Sequence, residues 1–181
     1  MQKLDATHME YAISILHNSN LDKLKILYLH GGSQMGLVEA GDFLPNILKV
    51  VRKQIFLDSF KLREEDLQMI FENSIKTINL CLVNCQITQV GSDFFIDEDQ
   101  EYCMENLDLF WTCIKVKEEY LNEGKFKELL KTLRDTKLKE SLERLHVCEE
   151  DYPKNELEEL LYKENFNVEL RVDNIMPHPY D

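Results

Sequence analysis

A short apolar pattern recurs along this 181-residue chain and restricts its possible folds more than any other feature. In INLCLVNCQI, one residue separates Leu80 from Leu82, two residues separate Leu82 from Cys85, and one residue separates Cys85 from Ile87. The same frame begins at five other positions: Leu27, Ile55, Leu107, Leu145 and Val168. The intervals between successive starts are 28, 25, 27, 38 and 23 residues. Such a period is typical of proteins that stack one small structural unit many times.

Helix-like stretches separate these apolar frames. In residues 63–73 the apolar side chains recur at helical spacing and therefore occupy one face. Residues 36–51 and 154–165 show the same spacing, and Pro153 precedes the second stretch as a helix-start signal. The pattern predicts a short strand, a turn and a helix in each unit.

A strand followed by a helix about every 20–29 residues resembles a leucine-rich-repeat protein. The resemblance is nearest to the ribonuclease-inhibitor-like and cysteine-containing subclasses and covers residues 21–176. Its best match is INLCLVNCQIT, where Cys85 stands at the family's Asn or Cys position, whereas Phe60 and Glu150 depart from that pattern. The resemblance implies an α/β fold, a short solenoid of about six repeats with a parallel concave sheet and a helical convex side. The alternative is an ordinary α/β domain whose strands happen to match the frame.

The two ends and the longest interval are interpreted separately. A stack of repeats must cover its terminal core, so residues 1–20 are predicted to form a helical cap. Residues 177–181 are predicted to form a short tail. The 38-residue interval contains a charged insertion at residues 115–141, predicted as one helix or two around Gly124. This insertion is interpreted either as a lengthened convex helix or as a contact element.

Composition limits the partners and the compartment. The net charge of −13 argues against a nucleic acid or an anionic membrane surface and favours a basic protein partner or plain solubility. The sequence contains no apolar run of about 18 residues, so no membrane-spanning helix is predicted. The amino-terminal sequence lacks the features of a signal peptide, and five cysteines form no paired framework. We therefore expect a reducing intracellular compartment, the cytoplasm.

Motifs for catalysis or metal binding are not found in the sequence. No phosphate-binding loop, dinucleotide fingerprint, nucleophile elbow or zinc-protease motif occurs. Cys81 and Cys85 are expected on opposite sides of the strand and turn, so they could not share a metal ion. The acidic residues 93–106 lack the Gly and the terminal Glu of a calcium loop. The sequence predicts no enzyme, no metal, no cofactor and no small-molecule substrate.

The predicted binding surface is the concave face of the sheet. Side chains alternate along a strand, so the residues that flank each buried pair are expected on this face. Aromatic side chains there are typical anchors for a protein partner. The predicted contact residues are Tyr28, His30, Phe56, Asp58, Val83, Phe110, Trp111, His146 and Arg171. The alternative is that the aromatic side chains pack against the insertion or the cap.

Together these features favour a non-catalytic protein–protein interaction module, an adaptor or an accessory subunit of a larger complex. This function is what the resemblance implies, since fold alone does not establish it. One alternative is an acidic inhibitor or regulator of a basic enzyme, which the net charge favours. Another is the substrate-recognition arm of a ubiquitin ligase, although residues 1–20 are too short for an F-box module.

Overall fold

The computed structural model describes residues 2–6, 24–30, 43–88, 98–109, 113–115, 123–148 and 154–173. The strands are β1 (Gln2–Ala6), β2 (Leu24–His30), β3 (Gln54–Asp58), β4 (Lys61–Arg63), β5 (Asn79–Val83), β6 (Gln86–Thr88), β7 (Asn106–Leu109), β8 (Cys113–Lys115), β9 (Arg144–Cys148) and β10 (Glu169–Asp173). The helices are α1 (Phe43–Leu48), α2 (Glu64–Asn73), α3 (Glu123–Arg134), α4 (Leu138–Ser141) and α5 (Lys154–Lys163). No helix in these segments is both long and apolar enough to cross a membrane.

The strands form two parallel sheets. The larger sheet has seven strands in the order β1-β2-β3-β5-β7-β9-β10, and the smaller one has three in the order β4-β6-β8. Every pairing is parallel, and each strand of the larger sheet lies beside the next one that the chain forms in that sheet. The sheet does not close on itself, since β1 and β10 form its two edges. The predicted α/β class with a parallel sheet is confirmed.

The strands of the larger sheet pair at the positions given by the apolar frame. One row across the sheet joins Leu27, Ile55, Leu80, Leu107, Leu145 and Leu170. Leu170 corrects the prediction for the last unit. The sequence frame starts at Val168, but Leu170, two residues later, is the residue that pairs with Leu145. Val168, Leu170 and Val172 are spaced by two, so either frame puts apolar side chains on the same face.

The main core lies against one face of the larger sheet. The row of paired residues contributes to it, together with Leu62 and Ile87 from the smaller sheet. The helices add their apolar faces, which include Phe71 of α2, Leu130 of α3 and Leu157 of α5. Each such side chain stabilises the fold by about 1.5–3 kcal/mol when it leaves water completely. The helices therefore form here because they cover a sheet, not because they are long enough to be stable alone.

The turns that connect the two sheets repeat from unit to unit. Ser59 and Asn84 follow β3 and β5 with φ of 63° and 53°, a left-handed conformation that Asn adopts more readily than most residues. The N–H of Ser59 donates to the carbonyl of Val83 over 2.9 Å. The buried thiol of Cys85 then lies 3.4 Å from the carbonyl oxygens of both Leu57 and Val83. Cys85 thus adds a thiol contact to two backbone oxygens of the turn.

Phe60 takes the equivalent place one unit earlier. It has no polar group, and its side chain is buried in the main core. Its carbonyl accepts the N–H of Gln86 over 2.8 Å, which continues the pairing between the two units. Phe60 therefore departs from the expected residue type without disturbing the register. Glu150, the other departure, lies outside the described residues.

The amino-terminal end differs from the predicted cap in its first residues. Gln2–Ala6 form β1, and Leu4 pairs with Leu27, so this segment extends the sheet as an edge strand. Asp5 and Ala6 were expected in a helix. Residues 7–20 of the predicted cap and residues 177–181 of the predicted tail lie outside the described residues.

The predicted insertion contains two helices, α3 and α4. Gly124 lies in the first turn of α3 rather than between the helices. Leu129, Leu133 and Leu138 are buried in the main core. Arg134 donates from Nη1 to Glu164 over 2.5 Å and so connects the end of α3 to the residue after α5. These contacts pack the described part of the insertion against the main core.

Candidate functional site

A second apolar cluster lies on the face of the larger sheet opposite the main core, which we call the outer face. It consists of Phe56, Cys81 and Val83, with Tyr28 packed against it. The rings of Tyr28 and Phe56 are 5.1 Å apart between centroids. Phe56 and Val83 are 2% and 0% exposed, so these two predicted contact residues are covered within the chain. Both were expected to face an open surface, and the structure corrects this expectation, because both side chains are buried.

A row of polar side chains continues this cluster across β5, β7 and β9. Cys81, Asp108 and His146 pair in register, so their side chains lie side by side. The Cys81 thiol donates to Oδ2 of Asp108 over 3.0 Å, and Nδ1 of His146 lies 3.0 Å from Oδ1. The amide of Gln54 donates to the Cys81 sulfur over 3.7 Å. His146 is buried, so this predicted contact residue also has a partner inside the chain instead of an open position.

The order of these groups does not suit thiol catalysis. A catalytic thiol needs a base beside it and a lowered pKa. Here burial, together with the charge of Asp108 and the hydrogen bond to it, keeps the pKa of Cys81 well above its usual value of 9.0. The carboxylate stands between the thiol and the imidazole, so His146 is not placed to accept the thiol proton. Within the described residues no group of three metal-binding side chains could hold a metal ion.

Three predicted contact residues meet at the carboxyl ends of β2 and β3. Asp58 accepts four hydrogen bonds, at 3.1, 3.0, 2.8 and 3.0 Å, from Tyr28, His30, Ser59 and Asn84 respectively. Burial alone would raise the pKa of Asp58, but these hydrogen bonds outweigh it and hold the pKa below 3.8. The His30 side chain is 42% exposed, so this polar cluster reaches the surface.

The remaining predicted contact residues are placed as follows. Arg171 is exposed on β10 and pairs with His146, so it belongs to the same row as Tyr28, Phe56 and Cys81. The sequence frame had placed Arg171 one outward position further along the strand. Phe110 and Trp111 lie outside the described residues.

Sequence reasoning missed three side chains that organise this face: Gln54, Ser59 and Asn84. Gln54 stands two residues before Phe56, so strand alternation alone could have placed it on the outer face. Ser59 and Asn84 occupy matching positions in successive units and carry polar groups beside Asp58. Comparing the units position by position would have revealed this pair.

The chain has no significant match among family models, curated proteins or solved structures. Its function is therefore inferred from the residues of the two sheets.

Proposed function

We propose that this chain is a leucine-rich-repeat solenoid that acts as a non-catalytic protein-interaction module, an adaptor or an accessory subunit of a larger complex. The observation that supports it most is the row from Leu27 to Leu170, because each unit adds one strand in register. The repeated turns at Ser59 and Asn84 add to this support. Stacked units of this kind create extended surfaces that repeat proteins use for recognition.

The proposed contact surface is the margin of the outer face. At one margin the Asp58 cluster exposes His30. At the other, Arg144, Glu169 and Arg171 are exposed on β9 and β10. The centre between them is buried and serves as a rigid support. The backbone beneath these side chains is already ordered before binding, which favours recognition.

The non-catalytic part of the proposal is supported by the chemistry of the outer face. Cys81 has a raised pKa and a carboxylate beside it, and His146 is buried against that carboxylate. These groups satisfy one another's hydrogen bonds, as groups in a structural network do.

The test is a quantitative affinity capture from the native source at low and high salt. The test variant carries Arg144→Glu and Arg171→Glu on the outer face. The control carries Lys154→Glu and Lys163→Glu on α5, which is the same charge change at exposed positions. We expect a stoichiometric set of proteins with wild type and control, and its loss with the test variant. Equal capture by all three proteins would reject the outer margin as the contact surface, and capture of no protein would reject the interaction function.

A second candidate function, an acidic inhibitor of a basic enzyme, is favoured by one specific feature. Glu105 and Glu143 are exposed, and the N–H of Glu143 donates to the carbonyl of Glu105 over 2.8 Å, so these two side chains start close together. Binding through such a strip depends on charge and is weakened by salt. Capture of a single basic protein, lost at high salt and in Glu105→Lys, would favour this candidate over the first.

A further inference from the structure

Positive charge is concentrated in one part of this acidic chain. The net charge of the whole chain is −13. Residues 24–30 and 43–63 nevertheless contain six Lys and Arg residues and one carboxylate, Asp58. Asp58 lies at the carboxyl end of β3, where four side chains already donate hydrogen bonds to it. The cations near the amino ends of the strands thus have no acidic residue of these two segments beside them.

Five of the exposed cations lie around the amino ends of β2, β3 and β5. We call them the basic edge: Lys25, Lys49, Arg52, Lys53 and Lys76. Backbone hydrogen bonds hold this region together, since the N–H of Lys53 donates to Lys25 over 3.0 Å and that of Ile78 to Arg52 over 3.2 Å. None of the five forms a salt bridge with another described residue.

An exposed apolar side chain lies within the basic edge. Ile78 is 36% exposed, and among the described residues the other exposed large apolar side chain is Tyr162 on α5. The N–H of Asn79 donates to the carbonyl of Lys53 over 2.9 Å, so Ile78 begins beside two cations. On its other side the carbonyl of Ile78 accepts the N–H of Glu105 over 2.9 Å, so Ile78 lies where the cations border an exposed carboxylate. A ligand that covers Ile78 and neutralises the cations on the Lys53 side gains free energy from both contacts.

We propose that the basic edge binds a short acidic segment of a partner protein, with one apolar side chain of that segment packed on Ile78. This inference deepens the proposed interaction function and rests on it. Neighbouring strands are about 4.8 Å apart, so the three strand ends span about 10 Å, the length of roughly three extended residues. The Lys and Arg side chains reach beyond the strand ends, so a segment of about four to six residues that is rich in Asp and Glu fits.

A protein segment suits this surface better than a nucleic acid. The net charge of −13 repels a long polyanion, whereas a short acidic segment meets only the local positive field. The basic edge contains Lys and Arg but no aromatic ring on which a base could stack. Ile78 instead fits an aliphatic side chain.

The test uses the full chain and labelled hexapeptides whose binding is followed by fluorescence anisotropy at low salt. One probe is six Glu residues, the second carries one central Leu, and hexathymidine serves as the nucleic-acid probe. We expect Lys53→Glu to weaken binding of both peptides by roughly fivefold, the effect of about 1 kcal/mol. Lys61→Glu, an exposed Lys outside the basic edge, should leave both affinities unchanged. Ile78→Ala should weaken binding of the Leu-containing peptide more than that of hexaglutamate.

The outcomes separate this inference from the proposed function. Equal effects of Lys53→Glu and Lys61→Glu, or tighter binding of hexathymidine than of either peptide, would overturn the acidic-segment proposal. If affinity capture recovers partners equally with wild type and Lys53→Glu while the peptides do not bind, the basic edge fails and the interaction function stands. If the peptides bind as expected and capture recovers no protein, the interaction function fails instead.

Discussion

Asp108 and His146 face each other on β7 and β9, with Nδ1 of the imidazole 3.0 Å from Oδ1 of the carboxylate. The second carboxylate oxygen accepts a hydrogen bond from the thiol of Cys81. Asp108 therefore satisfies two buried side chains on neighbouring strands. A buried polar network of this kind stabilises a fold only while all its members keep their partners.

The first prediction is that Asp108→Ala destabilises the protein by roughly 2–4 kcal/mol. The change removes the acceptor that His146 and Cys81 share, and the loss of a partner by a buried polar group costs about 1–3 kcal/mol. Asp108→Asn keeps one carbonyl oxygen as an acceptor and should lose less. Urea unfolding measures the free energy of unfolding of each variant, with the exposed Glu143→Ala as the control. A loss in Asp108→Ala no larger than that in Glu143→Ala would show that the row does not stabilise the fold.

The second prediction compares two positions at the start of β5. Leu80 is fully buried in the main core, whereas Ile78 is 36% exposed. Leu80→Ala removes packed methyl groups and leaves a cavity, so we expect a loss of about 2–5 kcal/mol. Ile78→Ala should cost less than about 1 kcal/mol, because much of its side chain already contacts water. Thermal unfolding of the two variants measures the difference, and losses of similar size would contradict the placement of the main core.

The sequence predicted the register of the larger sheet because the main core demands two large apolar side chains from each strand. Leu80 and Leu82 satisfy that demand without ambiguity, and the intervals between units then place their neighbours. The rule weakens at the edges of the sheet. Near β10 three apolar residues alternate, and in β1 the small Ala6 stands two residues after Leu4. The register of neither edge strand can therefore be read clearly from the sequence.

The outer face was less predictable, because its burial depends on which parts of the chain cover it. Strand alternation placed Phe56 and Val83 on this face, but it contains no information about their cover. The polar contacts of Asp58 and Asp108 likewise depend on neighbouring strands that are 25 or more residues away in sequence. The sequence therefore predicts which positions belong to the candidate site, but it does not predict which of them are exposed and which are buried.

The third prediction concerns the reactivity of the cysteines. Cys81 and Cys85 are buried thiols, whereas Cys103 is exposed. Alkylation requires both access and a thiolate, so in the native protein iodoacetamide should modify Cys103 while it spares Cys81 and Cys85. Peptide mapping by mass spectrometry measures the modification of each residue, and labelling in urea provides the fully reactive control. Labelling of Cys81 as fast as Cys103 in the native protein would contradict the described outer face.

The fourth prediction concerns acid unfolding. The pKa of Asp58 lies below 3.8 in the folded protein because the four hydrogen bonds outweigh the effect of burial. As the pH falls below 3.8, the unfolded chain takes up this proton first, so the stabilisation is lost as the pH passes through the folded-state pKa. Asp58→Asn removes this term and should flatten the decline of stability between about pH 4 and pH 2. The measurement is urea unfolding across that range, with Glu98→Gln at an exposed position as the control. An unchanged decline in Asp58→Asn would contradict the described hydrogen bonds.

The last prediction concerns alkaline pH. Burial raises the pKa of Cys85 from 9.0 to about 12. Between these two values the unfolded chain has lost the thiol proton and the folded chain still holds it. The stabilisation that Cys85 provides is therefore complete below about pH 9. Between about pH 9 and pH 12, ionisation of this thiol in the unfolded chain lowers the folding equilibrium constant by roughly tenfold per pH unit. The raised pKa of Cys81 acts in the same direction.

Cys85→Ala isolates this effect. The substitution destabilises the protein at every pH, because the thiol no longer binds the carbonyls of Leu57 and Val83. Its stability should nevertheless decline less steeply between pH 9 and pH 11 than that of the wild type, by one proton. Urea unfolding at closely spaced pH values measures the slope, and Cys103→Ala, at an exposed cysteine, serves as the control. Burial beside two carbonyl oxygens disfavours the thiolate form of Cys85. Equal slopes in wild type and Cys85→Ala would mean that Cys85 ionises freely in the folded chain and would contradict its buried position.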